Sequence, residues 1–194
     1  MKILLYDSYL GEPGGGQKVT LAIAEIFARR HEVLLTHPPQ ADPARWLEWH
    51  GRDGGGAKRL AVSRPASEIP RLSESFDLFF NTHNTYWIEG RARTNWLYCQ
   101  FPIPLRRELD VRLLLHRRLH LPIPMARTFV LPLPFKRPNH LAGYRRVFCN
   151  STFSKSWIRR RLEVDAEVLP LFSDFEPPQV PKEPIVLHLA RIVP

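Results

Sequence analysis

A chain of 194 residues, 44% hydrophobic and 11% aromatic, has enough apolar material for a real core, in one large domain or one domain plus a piece of another. No apolar run reaches the roughly 18–20 residues of a bilayer-spanning helix, and the chain opens at once on a strand pattern, so neither a spanning segment nor a leader peptide is expected. The net charge of +9 is unevenly placed: Arg91 to Arg161 holds sixteen Lys and Arg against Glu108 and Asp110, a balance of +14, while the rest of the chain carries −5. That asymmetry calls for an anionic partner, such as a phospholipid surface, a nucleic acid or a phosphorylated substrate.

In chain order, "KILLY" (2–6) reads as a short apolar strand. Gly14, Gly15 and Gly16 follow, then "QKVTLAIAEIFARR" (17–30), a helix with Val19, Ile23, Ile26 and Phe27 at helical spacing and arginines in its last turn, where the dipole favours them. "HEVLLTH" (31–37) is a second strand, so the opening predicts a β–α–β unit with a parallel pair. "WLEWH" (46–50) is a helical turn before the loop "GRDGGG", whose glycines follow no apolar strand and read as a flexible loop. "AKRLAVSR" (57–64) and "FDLFFNTHN" (76–84) are strands around a helical "SEIPRLSE" (67–74), and "TNWLYCQFP" (94–102) is another strand, stopped by proline.

"LRRELDVRLLLHRRLH" (105–120) places Leu105, Leu109 and Leu113 on one stripe among arginines; the five prolines of 121–138 forbid a regular helix or central strand there. "RRVFCN" (145–150) is a strand, "STFSKSWIRRR" (151–161) a helix capped by Asn150 or Ser151, and "AEVLPLF" (166–172) a closing strand. The proline-rich, polar 173–184 reads as a linker, and "IVLHLARIVP" (185–194) as the first strand of a further domain that this chain does not contain. Short strands alternating with helices behind a glycine turn predict an α/β fold, a doubly wound parallel sheet of the Rossmann-like kind.

A glycine run between a first strand and its helix lets backbone N–H groups approach a ligand without a Cβ in the way, and the positive end of the helix dipole there favours an anion. The same run reads equally as only a tight turn that packs helix on strand. The spaced G-x-G-x-x-G is lacking and no acid directly follows the second strand, so a dinucleotide cofactor is disfavoured. His116 and His120, one helical turn apart, lack an intervening Glu and a third ligand, and no metal site is expected. Cys99 and Cys149 sit among apolar neighbours without C-x-x-C spacing and read as buried reduced thiols of a cytoplasmic protein.

Four stretches, in order and spacing, resemble the GT-B glycosyltransferases, specifically the retaining family-four group that includes bacterial and eukaryotic mannosyltransferases. "PGGGQ" (13–17) resembles the family's first loop, "ARRHEVLLTH" (28–37) its "L..RGHEV.V.T" with Arg30 where glycine is usual, and "VFCNSTFSKSWIRRRL" (147–162) its "v..nS.ft...i". "IVLHLARIVP" resembles "il.vGRl.p.Kg", the first strand of the second domain, with Ala190 replacing glycine. "YCQFP" (98–102) is also similar to the "Y.HYP" of enzymes that extend lipid-linked mannose chains.

The resemblance implies a Rossmann-like acceptor domain over 1–172, the N-terminal half of a GT-B fold, followed by the linker 173–184 and only the first strand, 185–194, of a nucleotide-sugar-binding domain. It implies a retaining hexosyltransferase moving a sugar from a nucleotide-sugar donor to a carbohydrate or lipid-linked acceptor in the cleft between two domains. Gly15, with Gly16, would approach the donor phosphates; Arg191 would pair with them, and Gln17 would face the acceptor. Gln100 stands where the family commonly has a histidine near the donor sugar; glutamine hydrogen-bonds but does not titrate near neutral pH. His83, at the end of the preceding strand, would reach the same cleft, so His83 and Gln100 are the catalytic candidates. No metal or other cofactor is implied. The expected partners are the C-terminal donor domain, which this chain lacks and without which turnover should be negligible, and an anionic membrane surface met by 105–120. The alternative is a non-catalytic anion- or nucleic-acid-binding module, although the cationic stretch lacks aromatic-platform and helix-turn-helix cues, so a nucleic-acid partner is disfavoured.

Overall fold

In the computed structural model, residues 1–82, 88–100, 141 and 143–170 are described. The expected segments at 105–120, 121–138, 173–184 and 185–194, and the candidates His83 and Arg191, lie outside these residues.

The described chain runs β1 (Lys2–Tyr6), α1 (Gly15–Ala28), β2 (Glu32–His37), a 3₁₀ turn (Pro43–Arg45), α2 (Trp46–His50), β3 (Lys58–Ala61), α3 (Pro65–Ser73), β4 (Leu78–Asn81), β5 (Thr94–Cys99), β6 (Arg146–Cys149), α4 (Thr152–Leu162) and β7 (Glu167–Val168). All seven strands pair in parallel in one sheet of order β3-β2-β1-β4-β5-β6-β7. Strand order reverses between β1 and β4, which makes this a Rossmann-like, doubly wound α/β fold.

Alternation along each strand sends neighbouring residues to opposite faces and builds two cores. Ile3, Leu5, Val33, Leu35, Leu78, Phe80 and Tyr98 meet Val19, Leu21 and Ala24 of α1 and Trp46 of α2 on one face. Leu4, Tyr6, Phe79, Leu97, Cys99, Val147 and Cys149 meet Ile69 of α3 and Ile158 of α4 on the other. The β1–β4 seam is clasped at both ends. Asp77 N–H donates to Lys2 O at 2.9 Å and Lys2 N–H to Asp77 Oδ2 at 2.8 Å, while beyond the strands Thr82 N–H donates to Tyr6 O at 3.0 Å.

Several boundaries differ from expectation for physical reasons. The first helix begins two residues early, at Gly15, and ends at Ala28, so Arg29 and Arg30 lie just past its last turn. Its buried stripe is broader than the expected set: Thr20, Leu21, Ala22 and Ala24 are buried, whereas Ile26 is 58% exposed. A helix lying over a parallel sheet is covered across a wide arc, which small and branched residues fill as well as large ones. Residues 54–56 form a defined turn, with Gly54 and Gly55 at φ of 85° and 58°, backbone that glycine adopts without strain; a Cβ on Gly54 would touch Leu21 and Leu35 at 3.5 and 3.4 Å. Cys99 and Cys149 are buried and free, facing each other in register across β5 and β6. Burial pushes the Cys99 thiol up to about 12.

Candidate functional site

Ligands of open parallel sheets settle outside the carboxyl ends of the strands, at the point where strand order reverses. Here that point lies between the ends of β1 and β4, and the glycine run falls on it. Gly14 caps α1 with extended backbone, contributes no side-chain hydrogen bond, and is followed by no acidic residue in the first turn. The cap residue thus offers the first N–H groups of this helix no side-chain acceptor, and the first turn carries no counter-charge to the dipole.

The three glycines are not equivalent. Gly14 and Gly15 are exposed and Gly16 is half-buried. A Cβ on Gly14 would collide with Gln17 Oε1, and one on Gly16 would lie 2.5 Å from Gln100 Nε2 and 2.9 Å from Gln100 Oε1; one on Gly15 would meet nothing within 4 Å. The Gln100 amide thus stands against Gly16, whereas Gly15 faces open space. The structure sets the first turn of α1, with Gly15, Gly16 and Gln17, beside the end of β5, where Gln100 meets Gly16. His83 and Arg191 lie outside the described residues.

Gln100 is held from behind. Its carbonyl accepts the Ser154 hydroxyl at 3.1 Å, and that hydroxyl also reaches Asn150 Oδ1 at 2.6 Å. Unlike α1, α4 has a filled N-terminus: of the two expected caps it uses Ser151, whose Oγ accepts Ser154 N–H at 3.1 Å. Ser151→Ala removes that acceptor and loosens the corner that carries Gln100; a loss of about 1 kcal/mol in urea unfolding is expected. An unchanged midpoint would show that the cap is dispensable.

Beneath the glycines lies a polar group that the sequence reading missed. Asp7, the first residue after β1, is 2% exposed. Its Oδ1 accepts Tyr9 N–H at 2.8 Å and its Oδ2 accepts the Thr20 hydroxyl at 2.8 Å. The Thr20 Oγ1 also lies 2.8 Å from Thr82 Oγ1 and 3.2 Å from Gly16 O, and the Thr82 hydroxyl donates to Tyr6 O at 3.0 Å. Burial pushes the Asp7 carboxyl up to about 6, against the pull of the Tyr9 N–H and the Thr20 hydroxyl. The signal available in sequence was an acid closing an apolar strand, with a threonine one helical turn beyond the last glycine.

Among the described residues no three His, Cys, Asp or Glu side chains are grouped to hold a metal ion, and no helix is long and apolar enough to cross a membrane. The arrangement offers a helix start without a side-chain cap, an open approach at Gly15 and the amide of Gln100, groups chemically able to hydrogen-bond an anion. No protein-family model, curated protein or solved structure matches the chain.

Proposed function

We propose that the chain is the acceptor-side half of a retaining, nucleotide-sugar-dependent glycosyltransferase of GT-B architecture, with residues 14–16 receiving the donor's diphosphate. The observation that supports this most is the open Gly15 at an uncapped helix start, on the carboxyl edge where strand order reverses. The helix N–H groups would stabilise the leaving diphosphate without a metal, and Gln100 would orient a sugar hydroxyl by hydrogen bonding. Gln17, in the first turn of α1, would face the acceptor. A second domain, whose first strand would bring Arg191 to the donor phosphates, would supply the rest of the donor site. A lipid-linked acceptor would give the basic, leucine-rich 105–120 its partner, an anionic membrane surface.

Gly15→Ala tests the reading. The new methyl enters open space and replaces glycine by a better helix former, so thermal stability holds or rises slightly. The same methyl stands beside the N–H groups that an anion must approach, and loss of one charge-assisted hydrogen bond weakens binding about tenfold. Calorimetric titration with uridine and guanosine diphosphates should show that drop. Equal affinity in both proteins, or none in the unaltered chain, removes the diphosphate site.

A further inference from the structure

We propose that Asp7 is the positioning residue of the glycine corner, its protonation deciding through the Thr20 hydroxyl how the first turn of α1 is hydrogen-bonded. The anion-binding consequence drawn below rests on the diphosphate reading; the positioning role does not.

Thr20 has one hydroxyl proton and three acceptors in reach: Asp7 Oδ2 at 2.8 Å, Thr82 Oγ1 at 2.8 Å and Gly16 O at 3.2 Å. When Asp7 is ionised, its oxygen takes that proton, while the Thr82 proton stays on Tyr6 O. When a solvent proton adds to Asp7 Oδ2, the carboxyl group becomes the donor to Thr20 Oγ1. The Thr20 proton is then released toward Gly16 O or Thr82 Oγ1. The oxygens stay where they are; only the protons change places. Asp7 also holds the other end of the loop through the Tyr9 N–H, so a single buried group fastens both the exit from β1 and the entry to α1.

The surroundings make this carboxyl responsive. Burial raises it, the Tyr9 N–H and the Thr20 hydroxyl pull it back, and the balance leaves it at about 6. Of its neighbours, Tyr6 on β1 is pushed up to about 12 by burial and stays neutral, the loop contributes the Tyr9 N–H, and α1 and the end of β4 contribute the threonine hydroxyls. An ionised Asp7 opposes an anion at residues 14–16, and a neutral one does not. Binding there should therefore take up a proton, and reciprocally a bound anion should raise the pH at which Asp7 titrates.

The test follows the backbone amide resonances of Tyr9 and Gly16 in the full 194-residue chain from pH 4.5 to 8, with and without sulfate, whose charge is constant over that range. Both resonances should titrate together near pH 6 in the unaltered chain and stay flat in Asp7→Asn. Thr20→Val should keep the titration at Tyr9 and lose it at Gly16, an outcome that holds even if Asp7→Asn fails to fold. Sulfate should move the midpoint upward and bind several-fold more tightly at pH 5 than at pH 8. Flat resonances in the unaltered chain, or a Gly16 titration that survives Thr20→Val, overturn the proposal. Titration that behaves as described while sulfate binds at no pH sustains the role of Asp7 and removes the diphosphate reading instead.

Discussion

Replacing Gly90 by alanine lowers the stability of the chain by about 2–3 kcal/mol, the range for forcing extra volume into a packed site. A Cβ at this position would overlap Phe79 Cδ1 and Asn95 Oδ1 and lie 2.9 Å from Asn95 Cγ. Phe79 is fully buried on β4, so its ring has nowhere to retreat. Asn95 cannot swing away freely either, because its side-chain amide donates to Gly143 O at 3.2 Å, and its backbone carbonyl, which accepts Arg145 N–H at 2.8 Å, fixes the strand beneath it. The methyl therefore strains the β4–β5 connection and the approach to β6 together. Urea unfolding read by circular dichroism measures the loss. A midpoint equal to that of the unaltered chain would mean that residues 88–93 shift bodily to admit the methyl.

Asp7→Asn acts in the opposite direction, raising stability at pH 7.5 by about 2–3 kcal/mol. The carboxyl titrates near 6 in the folded chain against an ordinary value of 3.8, and each unit of difference is worth about 1.4 kcal/mol. Because the folded value is the higher one, the stabilisation from a neutral Asp7 is complete below about pH 4 and disappears as pH rises through 6. Asparagine keeps the neutral geometry at every pH: its oxygen accepts Tyr9 N–H and its amide donates to Thr20 Oγ1. The difference in unfolding free energy between the two proteins should thus be near zero at pH 4 and widen to its full size above pH 7. Exposed carboxylates such as Glu32 and Glu167, held below their ordinary range chiefly by hydrogen bonds from Lys58 and Arg146, cancel in that difference. A pH-independent difference would mean that Asp7 titrates alike in folded and unfolded chains.

The order of strands and helices was legible because hydrophobic periodicity and punctuation agree along most of the described chain. "KILLY", "WLEWH" and the start of "TNWLYC" fall where expected, and Ser151 caps its helix. The errors have physical causes. Arg29 and Arg30 were placed inside α1 on dipole grounds, but the helix stops at Ala28 and Arg29 takes the cap position. Pro70 sits within α3, a buried proline that the short helix tolerates and whose carbonyl accepts the Ser73 hydroxyl at 2.8 Å. The last strand shrinks to Glu167–Val168, at the sheet edge, where pairing on one side alone gives little to extend it.

At the candidate site, composition marked the glycines but could not distinguish them. Gly15 and Gly16 differ only by what stands opposite, and for Gly16 that is Gln100, 84 positions later in the sequence. Asp7 escaped notice because an acid after a strand ordinarily belongs to an exposed turn. Its carboxyl is met by the Thr20 hydroxyl, thirteen positions on, and Thr20 in turn meets Thr82 beyond β4, a contact made only when the β1–β4 seam has formed.

That seam has a mechanical consequence. The two halves of the sheet meet along β1 and β4, and backbone bonds rivet them at the amino edge through Lys2 and Asp77 and at the carboxyl edge through Tyr6 and Thr82. Such a joint does not breathe as two leaves about a spine. Whatever settles at the carboxyl edge therefore meets a floor that stays fixed, a datum against which an incoming molecule is aligned.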